Sequence, residues 1–305
     1  MMKEHVMRTG NSRPSYAGMA SGLAMALCLG LASQAQAVDV DAGDYTALPE
    51  GTSLGMVYLQ HAERRSLYSD GHKQPVRAGL NSDIGILRGV HFMKLGRFTI
   101  DPQFLLPFGR LEGKRDTSGL GKSDGIGDLI LASTIWLVEE PEQRRYFGIT
   151  PFLYVPTGEY DRKDALNIGE NRWKAALQAG YIQGLGDRWW LDLVADATWF
   201  GKNDDATAAG LTLRQSVLYQ GQAFLRYQVT PTLDLRVGYS QLWGGETRLD
   251  GTRQDDEAKT RKFTAGAAWF VAPKTQLMVN YGRDLSVENG FREGDRINLR
   301  VMQVF

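Results

Sequence analysis

The 305-residue sequence has a single cysteine, Cys28, and only four histidines. One cysteine excludes a disulfide framework and a thiolate metal site. The three histidines beyond the N-terminal region, His61, His72 and His91, stand apart from one another and make a poor metal site. None has a serine two residues away, the spacing of outer-membrane phospholipases, and a nucleophile needs such a base within reach. Gly121-Lys122-Ser123 imitates the end of a phosphate loop, but the first glycine of that motif is Asp116 here and no helix is predicted to follow. Charge of one sign is also missing. The chain has 35 basic and 35 acidic residues, so no concentrated basic face is available for nucleic acid. After residue 37 no run approaches the roughly eighteen consecutive apolar residues of a membrane-spanning helix. The inventory therefore predicts no enzyme, no cofactor and no metal.

What is present begins with export. Lys3, Arg8 and Arg13 precede an uncharged run over 16–32, rich in Ala, Leu, Met and Gly, and Ala35-Gln36-Ala37 follows. A basic region, an apolar region and an A-x-A site predict a signal peptide cleaved after Ala37. A retained anchor would need a longer run with a different flank. Leu27 stands before Cys28 where a lipoprotein signal requires a small residue. Cleavage takes Lys3, Arg8 and Arg13 from the 35 basic residues and Glu4 from the 35 acidic ones, leaving 32 and 34, a net charge of −2.

At the other end, Ile297, Leu299 and Val301 alternate with polar residues, Gln303 breaks the apolar register, and Phe305 closes the chain. A period of two gives an extended strand one wet and one greasy face. Nothing after that strand can cover the greasy face except lipid, around a closed barrel. The same alternation recurs in segments of about ten residues. They begin near 52–64, 76–92, 97–109, 125–138 and 145–156. Clearer segments follow over 173–181, 189–199, 216–227, 233–243, 262–271 and 276–284. With the terminal segment this predicts an all-β fold after the signal peptide, a transmembrane antiparallel β-barrel of about twelve strands, with a range of ten to fourteen. The domains are then 1–37 signal peptide, 38–51 periplasmic segment or plug, and 52–305 barrel.

Connections alternate in length. Turns near 93–96, 139–143, 184–187, 230–232 and 272–274 are short, whereas polar loops near 65–75, 110–124, 157–171, 201–210, 244–258 and 285–294 are long. Such asymmetry puts the short turns in the periplasm and the long loops outside the cell. Trp189 and Trp199, and Tyr219 and Tyr227, sit near opposite ends of outward faces, as interfacial aromatic belts do. A soluble barrel would leave Asp192, Asp196, Arg226, Asp234 and Arg236 without a reason to share one side.

Four motifs carry a resemblance: Gly125-Ile126-Gly127-Asp128-Leu129; Tyr154 to Asp161, reading YVPTGEYD; Asn167 to Trp173, reading NIGENRW; and Glu293-Gly294-Asp295-Arg296. In this order the chain resembles the outer-membrane transporter family labelled for the meta-pathway of phenol degradation. The resemblance covers most of the mature chain. It implies a barrel of the Gram-negative outer membrane that passes small hydrophobic or aromatic molecules inward. Physically the motifs read first as architecture, with Gly and Pro turning the chain and Asp128 and Asp161 capping backbone amides.

Transport chemistry would lie in the lumen. Arg214, Arg226 and Arg236 with Asp192, Asp196 and Asp234 are the candidate lining, either as rings of fixed charge that select solutes or as an ion-pair network filling a narrow barrel. Pro102 and Pro151 fall inside strands and remove ladder donors, which predicts interruptions and raises a lateral opening into the bilayer as an expectation. Expected partners are outer-membrane lipid, a small apolar solute, and the barrel-assembly machinery through the C-terminal strand ending in Phe305. A structural or adhesive barrel without transport is the alternative reading, and a barrel-embedded hydrolase a weaker one.

Overall fold

Alternation of apolar and polar side chains is realised as twelve long antiparallel strands in the computed structural model, which describes residues 39–305. The expected signal peptide and its cleavage after Ala37 lie outside the described residues. The strands are β1 Ser53–Ser69, β2 Leu80–His91, β3 Phe98–Gly113, β4 Leu129–Glu140, β5 Arg145–Val155 and β6 Lys174–Leu185. They continue as β7 Trp189–Phe200, β8 Leu218–Thr230, β9 Leu233–Gly244, β10 Ala258–Ala272, β11 Thr275–Val287 and β12 Gly290–Val304. Each pairs with its sequence neighbours, and β12 pairs with β1 from Leu54↔Val304 to Tyr68↔Gly290. The sheet is thereby closed, and no edge is left to present unpaired backbone to lipid.

Outward positions are apolar and exposed along every strand: Leu59, Leu87, Phe104, Leu153, Leu193, Leu235, Val279 and Leu299 are typical. Trp189 and Trp199 are exposed at the two ends of β7, and Tyr219 stacks on Trp243 at 5.8 Å between ring centroids on the outer wall. Inward positions are polar or apolar by level. Toward the short-turn end, Met56, Val90, Phe92, Trp136, Tyr146, Ile182, Val194 and Met302 form an apolar core around Tyr45.

Two loops differ from expectation. No long loop occupies 285–294: β11 and β12 run on to a two-residue turn at 288–289, and β1 extends to Ser69 beside them. The polar residues there bond to one another within the wall, though Arg64 Nε and Asp284 Oδ1 are left without a hydrogen-bond partner among the described residues. Arg64 Nη2 donates to Glu293 Oε2 at 2.8 Å, and Asp284 Oδ2 accepts from the Glu293 amide at 2.7 Å. Gly294 therefore lies within the last strand rather than before it, at a bulge where the register against β1 shifts between Glu63 and Arg64. Beyond the β8–β9 hairpin, Leu213–Gln215, Thr247–Leu249 and Thr252–Arg253 make a separate three-stranded sheet outside the barrel wall.

Candidate functional site

Residues 39–52 run through the lumen toward the short-turn end, and most of the inward charges meet there. Three aspartates in six residues of chain are each caught by arginines of the wall. Asp39 Oδ2 accepts from Arg296 Nη1 at 2.7 Å and Asp41 Oδ2 from Arg300 Nη1 at 2.9 Å. Asp44 accepts from Arg88 Nη1 at 2.8 Å and from Arg300 at 3.2 Å. Backbone groups take part as well. The Gly43 amide donates to Asp192 Oδ2 at 2.6 Å, and the Ala42 carbonyl accepts from Arg236 Nη1 at 3.0 Å.

Tyr45 is the deepest anchor, 4% exposed. Its ring lies on a floor of two cross-strand partners, Gly148 and Gly180; a Cβ on Gly180 would come within 2.2 Å of it. Only glycine fits beneath the ring. The Tyr45 hydroxyl reaches Thr150 Oγ1 at 2.9 Å and Gln178 Oε1 at 3.0 Å, and Trp136 Nε1 donates to the Tyr45 carbonyl at 2.9 Å.

Burial alone would raise the Asp39 carboxyl, but Lys262 and Arg296 outweigh it and hold it well below the usual range. Asp44 is likewise held low against burial, by Arg88 and Arg300. A depressed carboxyl contributes docking stability above its ordinary pKa and loses it only as pH falls through the lowered value. Burial, with Asp44 close by, pushes the Asp41 carboxyl the other way, up. Acidification from neutrality to about pH 5 should therefore leave the segment held by Asp39 and Asp44 even where Asp41 takes up a proton, which single-channel recordings across that range would check.

The sequence-predicted lumen residues fall into three groups. Asp192 and Arg226 pair at 2.9 Å, and Arg236 binds Asp234 at 2.5 Å two residues away on its own strand. These are separate pairs, turned partly toward the N-terminal segment. Asp196, 7% exposed, accepts from Gln178 Nε2 at 3.2 Å. Arg214 does not line the barrel. It is exposed in the outer three-stranded sheet opposite Arg248, because the two-stranded ribbon leaves the wall where Gly244 and Gly245, across from Leu218 and Val217, take φ of 90° and 71°, so strand parity no longer reports lumen or lipid. The arginines that hold the segment most directly, Arg88, Arg296 and Arg300, were absent from the candidates. Parity already put Arg296 and Arg300 on the wet face of β12, but their partners carry no periodic signal.

Pro102 and Pro151 flank one point of the wall. Pro102 is opposite Ser133 across the β3–β4 ladder. On the other side the β4–β5 ladder runs from Ala132↔Phe152 to Ile135↔Ile149 and omits Ser133 and Thr134, where Thr150 and Pro151 face them. The Thr134 amide is held instead by the Asp101 carboxylate. Thr150 Oγ1 donates to Thr134 Oγ1 at 3.0 Å, so hydroxyls run from Tyr45 through Thr150 to this thinned seam. Phe152, Tyr154 and Ala176 pack with Ile130 and Ala132 as an apolar cluster beside it.

The long-loop end is covered too. Asp128 accepts from the Gly158 and Glu170 amides, each at 3.0 Å, and Glu170 is bound to Arg172 at 2.9 Å and to Lys174. The loop so held carries Leu166, 2% exposed, into a cluster with Leu67, Ala78, Leu80 and Phe291. Asp128 thus caps the loop as the motif predicted. Asp161 Oδ1 accepts from the Lys163 amide at 2.8 Å.

A family model described as "Putative MetA-pathway of phenol degradation" matches residues 64–301. A solved outer membrane channel from Pseudomonas putida F1 is 46% identical over 88% of this chain and 100% of that one, with a TM-score of 0.85. The transport unit of the autotransporter AIDA-I from Escherichia coli is 10% identical, covers 96% and 99%, and has a TM-score of 0.48. The toluene transporter TodX from Pseudomonas putida is 10% identical, covers 84% and 90%, and has a TM-score of 0.46. No curated protein matches.

Proposed function

The chain belongs to the family described for the MetA pathway of phenol degradation, and from that premise we propose that it is an outer-membrane channel for small hydrophobic molecules, closed along its axis by residues 39–52 acting as a plug. The observation that carries this reading is the segment pinned across the lumen, with a cavity of about 450 Å³ left beside it, lined by Arg88, Arg226, Arg236 and Arg300. Three aspartates and Tyr45 of one segment bind the walls of β2, β5, β6 and β12, while the loop bearing Leu166 covers the other mouth.

With both ends covered, the favoured route for an apolar solute is through the wall. The seam at Ser133 has a proline on each side, so two ladder donors are missing from neighbouring strands. Each absent backbone bond weakens strand adhesion by about 1 kcal/mol. The inner face of the seam carries the Asp101 carboxylate and the Thr134 and Thr150 hydroxyls, with the apolar Phe152–Tyr154 cluster beside them. The outer face includes Phe104, Leu131 and Leu153, so an apolar molecule meets apolar surface outside and next to the seam within.

Replacing Pro102 and Pro151 with valine should restore strand pairing and slow uptake of an aromatic hydrocarbon by whole cells, with the barrel still folded by heat-modifiable gel migration. Uptake at the original rate would remove the lateral route. A channel modulated by aromatic solute in a planar bilayer would support transport, whereas a folded barrel with no solute response would favour the structural or adhesive role.

A further inference from the structure

The lipid-facing wall is grooved, and the groove ends at cations that have no carboxylate partners. Outward positions of β6, β7 and β8 are small along one cross-strand row: Ala179 faces Ala195, and Ala195 faces Gly221. Gly221 faces Gln241 on β9. Larger outward side chains, among them Tyr181, Leu193, Tyr239 and Trp243, stand on either side of an open depression of about 610 Å³. Strands lie about 4.8 Å apart, so the row from β5 to β9 spans roughly 19 Å, the reach of an extended acyl chain of about sixteen carbons. It descends obliquely. Gln241 lies eight residues from the short-turn end of β9, which starts at Leu233, and Ile149, which faces Ala179, four from that end of β5, which starts at Arg145.

At the upper end the row continues to Arg261, which faces Gln241. Arg283 lies on the neighbouring strand, opposite Phe263 and so one outward step below Arg261. Both are exposed, and neither forms an ion pair among the described residues, Arg283 sharing only a hydrogen bond with the Tyr281 hydroxyl. The nearby acids are engaged elsewhere. Glu288 binds Lys259 at 2.8 Å, and Asp295 accepts from the Tyr281 hydroxyl at 2.9 Å. Arginines on the lipid side of a strand, above the apolar band and toward the long loops, stand at the head groups of the outer leaflet. Guanidinium forks suit phosphate there, with charge-assisted paired hydrogen bonds.

We propose that β5–β11 carry a site for one acylated, phosphorylated glycolipid of the outer leaflet, of the lipid A class, with an acyl chain in the Ala179–Ala195–Gly221 groove and a phosphate on Arg261 and Arg283. The occupant follows from the combination: a lone phosphate would not use the groove, and a neutral lipid would not use the arginines. The site lies outside the lumen and does not depend on the transport reading.

Native mass spectrometry of the mature barrel, released from detergent, tests this with lipid A, phosphatidylglycerol and inorganic phosphate as probes. Wild type should retain lipid A well above phosphatidylglycerol. Arg261→Gln with Arg283→Gln should weaken lipid A by about tenfold or more, the scale of one lost charged hydrogen bond. Gly221→Leu, which fills the groove and leaves both arginines in place, should weaken lipid A but not inorganic phosphate. Heat-modifiable migration confirms that each variant is folded, and Ala195→Leu replaces Gly221→Leu if that variant is not. Equal retention of lipid A by wild type and both variants, or of phosphatidylglycerol and lipid A by wild type, would overturn the site.

Discussion

Deleting residues 39–48 should raise single-channel conductance several-fold and make the barrel anion-selective. The wall of twelve strands stays closed without that segment, since β12 pairs with β1 from Leu54 onward. What goes is the material in the bore: the Asp39, Asp41 and Asp44 carboxylates, Tyr45, and the backbone that occupies Asp192 and Arg236. Arg88, Arg296 and Arg300 then face water with no carboxylate from the segment, and fixed positive charge in a narrow pore favours anions. Planar-bilayer recordings of the refolded deletion against wild type would read both effects. Conductance equal to wild type would place the constriction at the Leu166 loop instead. A milder variant reaches the same state by another path. In Gly180→Leu the added side chain takes the space of the Tyr45 ring, so the segment should unseat with all its charges intact. Arg300→Met should do so as well, because it leaves the buried Asp41 carboxylate without its ion pair and Asp44 with Arg88 alone, and breaking a buried pair costs about 3–5 kcal/mol.

Gly158→Val should free the outer loop and leave the barrel untouched. The Gly158 Cα lies against the backbones of Gly127 and Gly169, and a Cβ there would come within 2.7 Å of each. Backbone cannot yield as a side-chain tip can, so valine must push residues 157–171 off Asp128. Both capping bonds from Gly158 and Glu170 are then lost, and Leu166 is withdrawn from its cluster. Trypsin added to intact cells should cut at Arg162 or Lys163 in the variant and much more slowly in wild type. Resistance equal to wild type would mean that the loop is held by the Leu166 cluster alone. Asp128→Asn, which keeps shape and weakens the caps, should give an intermediate rate.

The strand pattern was legible because lipid enforces it. Ile297, Leu299 and Val301 face hydrocarbon whatever else the chain does, so the period of two persists on all twelve strands and their number can be read from sequence. Signals of that kind stop at the rim. Arg214 keeps the parity of Arg226, yet the ribbon kinks at Gly244 and Gly245 before reaching it. The turn at 288–289 hid behind charges, Arg292 and Glu293, that read as loop; Glu293 is in fact bound by Arg64 inside the wall and Arg292 donates to the Asp284 and Leu285 carbonyls. The lumen contents were the least legible. Asp39, Asp41, Asp44 and Tyr45 show no periodicity, and their partners are fixed by register across strands far apart in sequence. Gly148 and Gly180 look like ordinary strand interruptions until Tyr45 is seen lying on them.

The long-range bonds of residues 39–52 also say when that segment can fold. Asp41 and Arg300 are 259 positions apart, and Asp39 and Arg296 are 257. Asp44 needs β2 and β12 together, while Tyr45 needs β5 and β6. No partial sheet offers all of these surfaces, so residues 39–52 acquire their structure last, after β12 has zipped onto β1. Loop-closure entropy opposes such distant pairings until the intervening chain is ordered. Each newly inserted molecule is therefore briefly a hollow cylinder, and the leakiness of a membrane making much of this protein would follow the rate of synthesis rather than the amount accumulated.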